Sequence, residues 1–173
     1  AVALLPNDLQ QKIRFWLVGD GAERLMLEDM AREYGVQGQF EFLGQVSYDA
    51  LPSIYRAADA FVMPTLDDYR ALVGFEALSY GLPLLHSVYD GAVTELVDDG
   101  INGTRCDPRD AQQFAAKITW MIQNSHRFGE MGAVSRQRHQ GAYTVPHSVD
   151  ALVTAITLCL KGNGAQVEPE LLS

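Results

Sequence analysis

The chain has 173 residues, 47% of them hydrophobic and 20% charged, with a formal net charge of −9 at pH 7. That size and mixture describe a single globular domain with enough apolar material to fill a core. The acidic balance argues against nucleic acid as a partner, because binding a polyanion leans on a basic face, and no apolar run approaches the roughly 18 residues of a membrane span.

The opening "AVALLPND" has no basic start and no small-residue cleavage site, so it does not read as a signal peptide. Cys106 and Cys159 are far apart and suggest free thiols in a reducing compartment. His86, His126, His139 and His147 are scattered, and no Cys/His spacing resembles a zinc site.

Along the chain, short apolar runs alternate with segments of helical period. "KIRFWLVGDG" (Lys12 to Gly21) reads as a buried strand ending in a glycine turn, with Phe15 and Trp16 in the core. "AERLMLEDMAREYGV" is a helix with Leu25, Leu27, Met30 and Ala31 on its apolar face and Gly35 as its stop. "QFEFLG" is a second strand, "SYDALPSIYRAA" a short helix capped by Ser47, and "AFVMP" a third strand halted by Pro64. "YRALVGFEALSYG" is a helix stopped by Gly81, and "LPLLHS" a fourth strand. "VTELVDDG" is a short helix, "NGTRCDP" a turn and short strand, and "DAQQFAAKITWMIQ" a helix capped by Asp110. Helical periodicity continues to about Leu160, so residues 1–161 form one domain and 162–173 a polar, flexible tail.

Strands alternating with helices indicate a Rossmann-like α/β fold, a parallel sheet with helices on both faces. Ligands of such sheets bind at the carboxyl ends of the strands. Four loops lie there: Gly19-Asp20-Gly21, Gly44-Gln45-Val46, Pro64 to Arg70, and Ser87 to Glu95. In the third, a helix beginning near Arg70 to Val73 offers free N–H groups and a positive dipole end, suited to a phosphate or diphosphate. Arg70 adds a guanidinium fork for phosphate oxygens. Asp68 can accept hydrogen bonds from hydroxyls, and Glu76 lies about two turns into the helix. From spacing alone a plainer reading stays open, in which Asp67 or Asp68 caps the helix and Glu76 is solvated. Gly19-Asp20-Gly21 and "DGAVTE" (Asp90 to Glu95) equally read as ordinary turns, and His86 as a packed histidine. Arg24 stands where a dinucleotide fingerprint would need glycine.

Taken together, "FWLVGDGAERLMLEDMAREYGV", "FEFLGQVSYDALPSIYRAADAFVMPT", "FEALSYGLPLL" and "DGAVTELVDDGINGTRCDPRD" resemble, in order, the C-terminal, donor-binding half of a GT-B glycosyltransferase of the retaining group 1 family (family 4). The resemblance covers about Phe15 to Asp110. It implies that Glu76 is the second glutamate of the family's E-x7-E motif and binds ribose hydroxyls. It places Asp68 at the first glutamate, on the donor sugar. Arg70 and Ala71 replace the family's Phe-Gly pair, and Leu72 and Val73 match positions whose N–H groups face the diphosphate. Asp90, Gly91 and Glu95 answer to its GG…E loop, with one glycine lost, and Gln45 and Val46 lie where the base binds.

The resemblance further implies a nucleotide diphosphate sugar as substrate, with no cofactor and no metal; Asp67 and Asp68 are adjacent rather than spaced as a metal pair. The family's first strand, its arginine and lysine, and the acceptor-binding N-terminal half are missing from the sequence. A sheet interrupted beside the first visible strand is therefore expected, with homo-oligomerisation through the exposed edge as one remedy. A cytoplasmic parent enzyme is implied, peripheral at the membrane where its acceptor is lipid-linked. The departures at Asp68, Arg70, Ala71 and Asp90 leave a second class open, a degenerate domain that binds or assembles without catalysis. A sugar-phosphate epimerase of related fold would need catalytic carboxylates in motifs the sequence does not show.

Overall fold

The computed structural model describes residues 1–160. Residue 161 and the expected tail, 162–173, lie outside them. After a short 3-10 turn at Val2–Leu4, the elements are α1 (Asn7–Gln10), β1 (Phe15–Val18), α2 (Arg24–Glu33), β2 (Phe40–Gly44), α3 (Leu51–Ala57), β3 (Phe61–Met63), α4 (Leu72–Tyr80), β4 (Leu84–Ser87), α5 (Val93–Leu96), β5 (Gly103–Cys106), α6 (Ala111–Gln123), α7 (Phe128–Ala142) and α8 (Val145–Leu160). The three ladders between these strands are parallel, as the alternation of strands and helices requires.

The strands form two sheets rather than one: β1 pairs with β2, and β3, β4 and β5 follow in order. No ladder among the described residues joins β1 to β3, so the interruption falls where the family resemblance implies it. In the larger sheet, Phe61 to Met63 pair with Leu84 to His86, and Leu84 to Ser87 with Gly103 to Cys106.

β4 is the middle strand of the larger sheet, and its four residues are all buried. Successive strand side chains point to opposite faces, and the two cores follow from that alternation. Leu84 joins Ala77, Leu78, Leu96 and Val97 beneath α4 and α5. Leu85 joins Cys106, Ala115, Ile118 and Met121 beneath α6. Burying a leucine side chain is worth about 1.5–3 kcal/mol, so these two residues tie both helical layers to one strand.

The helix punctuation has local causes. Asp110 Oδ1 accepts from the N–H groups of Gln112 and Gln113 at 3.0 and 2.9 Å, the expected cap of α6. Gly81 ends α4 in the left-handed conformation, φ +72°. α7 then packs so closely that a Cβ on Gly132 would overlap the Gly81 carbonyl oxygen.

Three sequence expectations are corrected. Ser47 is not a side-chain cap: α3 starts four residues later, and the Ser47 carbonyl instead takes the N–H groups of Ala50 and Leu51. Trp16 is 42% exposed rather than core, because β1 alternates half-buried and exposed residues. On α2, only Ala31 of the apolar stripe is buried, while Leu25, Leu27 and Met30 face outward. Helical period marks such a stripe, but only a packed neighbour buries it.

Candidate functional site

Pro64 stops β3, and the chain turns through Thr65 to Ala71 before α4 begins. Beside it runs the loop leaving β4, Val88 to Ala92. Parallel strands bring these loops to the same sheet edge, and hydrogen bonds fasten them together. Asp68 N–H donates to the Tyr89 carbonyl at 3.2 Å, and Gly91 N–H to the Asp68 carbonyl at 2.9 Å. The approach demands glycine, since a Cβ on Gly91 would overlap the Tyr69 carbonyl oxygen.

Between the loops opens a cleft of about 700 Å³. Asp67, Asp68 and Tyr69 line one wall, and Val88, Tyr89 and Gly91 the other. Asp68 is half-buried; its Oδ1 accepts from Arg70 N–H at 3.0 Å. The cap position of α4 is Ala71, so neither Asp67 nor Asp68 is the cap. Leu72 and Val73 open the helix at 71% and 38% exposure. Their N–H groups precede the first full helical turn and have no intrahelical acceptor.

Asp90 forms the floor and is 1% exposed. Its Oδ1 accepts from Ala92 N–H at 2.8 Å. Its Oδ2 lies 2.7 Å from His86 Nε2 and accepts from Ala71 N–H at 3.4 Å. His86 is packed, as its sequence context suggests, and fully buried. The buried Asp90 carboxylate is a site feature the sequence did not mark, because it reads there only as a lost glycine.

Arg70 is engaged from two sides. Its guanidinium pairs with the Glu95 carboxylate and lies 4.5 Å from the Phe75 ring centroid. The hydrogen bond with Glu95 pushes the Arg70 pKa up, against the opposing effect of burial. Arg70, Glu95, Ala71, Leu72, Val73, Gly91 and Asp68 are thus gathered in one cluster.

Glu76 is one step further along α4. Its Oε2 accepts from the Tyr55 hydroxyl at 2.8 Å, and Tyr55 stacks on Tyr80 at 5.0 Å. Burial, then this hydrogen bond, raises the Tyr55 pKa. No signal in the sequence pairs Tyr55 with Glu76. The same holds for Tyr89, whose hydroxyl donates to Asp107 at 3.0 Å beneath the Arg109 guanidinium.

Gly19, Asp20, Gly21, Gln45 and Val46 sit on the β1–β2 unit. Gly19 N–H donates to the Gly44 carbonyl at 2.8 Å, joining those two loops to each other. No hydrogen bond among the described residues joins them to the Asp68 cluster, so the four loops are fastened two by two. No three His, Cys, Asp or Glu side chains among the described residues are grouped to hold a metal ion. No described helix is long and apolar enough to cross a membrane.

Residues 1–138 match the family described as Glycosyl transferases group 1. The chain belongs to this family. Among its curated members, it is 33% identical over 131 residues to a D-inositol 3-phosphate glycosyltransferase of Geodermatophilus obscurus, covering 76% of this chain and 28% of that one. It is 28% identical over 155 residues to a glycogen synthase of Mycobacterium tuberculosis, covering 90% of this chain and 37% of that one. The chain therefore spans about a third of the length of these group 1 relatives. The crystal structure of Anabaena Alr3699/HepE in complex with UDP shares the fold: TM-score 0.78, 20% identity, 90% of this chain and 43% of that one.

Proposed function

We propose that this chain is the C-terminal, donor-binding half of a retaining, hexosyl-transferring group 1 (family 4) glycosyltransferase, and that it holds a nucleotide diphosphate sugar in the Asp68 cleft. One observation carries the reading. Asp68, the open start of α4 and the Gly91–Glu95 segment stand together at one sheet edge, in a chain whose named relatives are glycosyltransferases and whose structural neighbour was solved with UDP.

The N–H groups of Leu72 and Val73, with the dipole of α4, meet the diphosphate. Arg70 adds its charge by exchanging Glu95 for a phosphate oxygen. Asp68 keeps one carboxylate oxygen for sugar hydroxyls. Glu76, already accepting from a hydroxyl in Tyr55, accepts from the ribose, and Gly19 to Gly21 with Gln45 and Val46 lie toward the base. These residues orient the donor and stabilise the departing charge, with no protein nucleophile, no metal and no cofactor. The parent protein carries an acceptor-binding domain and works in the cytoplasm, consistent with the free thiols of Cys106 and Cys159, at most peripherally on a membrane. The exposed apolar residues Trp16, Val18, Leu25 and Met30 beside the interrupted sheet support self-association.

A second reading, binding without catalysis, draws on Arg70 being committed to Glu95 and on Ala71 in place of a glycine. Calorimetric titration with UDP, GDP and ADP tests the donor site itself. One nucleotide binds, and Glu76→Ala weakens it about 10- to 100-fold, matching the 1.5–3 kcal/mol of a hydrogen bond to a charged group. No heat with any nucleotide overturns the reading. Binding without sugar transfer by the full-length protein selects the second.

A further inference from the structure

Beneath the cleft lies a pair that the donor chemistry does not use directly. His86 and Asp90 are 0% and 1% exposed, with His86 Nε2 2.7 Å from Asp90 Oδ2. A carboxylate only accepts, so Nε2 carries the proton and donates. His86 Nδ1 is buried with no hydrogen-bond partner among the described residues. Buried polar atoms are normally paired, so this ring orientation is held by its other nitrogen and by packing.

The packing touches the site from below. The His86 ring lies against the first turn of α4: a Cβ on Gly74 would stand 3.0 Å from His86 Cε1 and 2.7 Å from Leu96 Cδ1. Asp90 in turn accepts from Ala92 N–H at the start of α5 and from Ala71 N–H at the start of α4. Its neighbours Tyr89 and Gly91 make the two backbone hydrogen bonds that fasten Asp68. One imidazole–carboxylate pair thus connects the strand end, both helix starts and the backbone that carries Asp68.

We infer that His86 and Asp90 are positioning residues of the donor site, a buried strut that sets the start of α4 against the β4–α5 loop so that a nucleoside diphosphate meets both. This rests on the donor-site reading. Neither side chain touches the ligand; each acts through Asp68, Ala71 and the loop between them. The strut also explains why a carboxylate is tolerated under a helix start that is to receive an anion: its oxygens are already filled by three donors.

The test separates the donated hydrogen bond from the packing. Gln at position 86 places an N–H donor near where Nε2 stands, whereas Met fills similar space and donates nothing. The chain and its His86→Gln, His86→Met and Asp90→Asn variants are titrated with UDP, GDP and ADP, with thermal midpoints recorded alongside and Glu76→Ala as control. For the nucleotide that binds, His86→Met weakens affinity at least tenfold, His86→Gln recovers it to within about threefold of wild type, and His86→Met with Asp90→Asn is no weaker than the worse single variant. If a variant fails to fold, the wild-type amide resonances of Ala71 and Ala92 and the His86 Nε2–H resonance are followed instead, and the inference requires all three to shift on binding. Equal affinity of His86→Met and wild type, equal damage in Met and Gln, or unmoved resonances overturn it. If Glu76→Ala abolishes binding while the His86 and Asp90 variants bind within twofold, only the strut falls. If wild type binds none of the three nucleotides, the donor reading falls and the strut with it.

Discussion

Gly91 carries the closest approach between the two site loops, because a side chain there would overlap the Tyr69 carbonyl oxygen. In Gly91→Ala the loops must part, and the Gly91 N–H to Asp68 bond, 2.9 Å, is the contact that yields. The expected outcome is a loss of nucleotide affinity of about tenfold and a stability loss of about 1–3 kcal/mol, the usual range for such steric strain. Calorimetry and urea denaturation read the two effects separately, and unchanged affinity would show that the zipper does not shape the site. The residues of the cluster were legible in sequence to different degrees. The spacing of Asp68 and Glu76 and the glycine at 91 stood out because a motif fixes them. Tyr55, 21 positions from Glu76, and the Arg70–Glu95 pair, 25 positions apart, did not. Such partners are chosen by tertiary proximity, which no local pattern encodes.

Among the elements, β5 links core packing to pH. Burial pushes the Cys106 thiol up to about 11 from its ordinary 9.0, with Lys117 partly opposing. A pKa raised in the folded state contributes stability that is full below the unfolded value and is lost as pH rises through the folded one. Stability is therefore expected to hold to about pH 9 and to fall between about pH 9 and 11, by up to about 2–3 kcal/mol from this group. Tyr55 acts with the same sign at still higher pH. Urea denaturation at pH 8 and pH 10.5 checks this, and Cys106→Ala must flatten the difference; an equal fall in the variant would exclude Cys106 as its source. The alternation of strands and helices from β1 to α6 is readable, because β4 opens on the apolar pair Leu84-Leu85 and α6 carries its own cap at Asp110. Two of the corrections share one cause. The apolar stripe of α2 and Trp16 of β1 have the right periodicity, yet the described residues leave Leu25, Leu27, Met30 and Trp16 exposed.

For the whole molecule, the division into β1–β2 and β3–β4–β5 predicts unequal stability. β4 is enclosed by two helical layers, whereas β1 alternates half-buried and exposed residues. Regions with few buried contacts open more readily than the core. Amide hydrogen exchange should be at least about tenfold faster at Leu17 and Phe42 than at Leu85 and His86. Equal protection would mean that both sheets unfold as one unit. The donor site as proposed draws on both units, with the base toward Gln45 and Val46 and the diphosphate at Leu72 and Val73, so ligand should also slow exchange in β1–β2.

The central claim is tested most directly by mapping nucleotide binding onto backbone amide resonances of the 15N-labelled chain. Titration with the nucleotide that binds should shift Leu72, Val73 and Gly91 most strongly, with smaller changes beside Glu76 and at Gln45 and Val46. Shifts confined to other surfaces, with Leu72, Val73 and Gly91 unmoved at saturation, would contradict a donor site built on the start of α4.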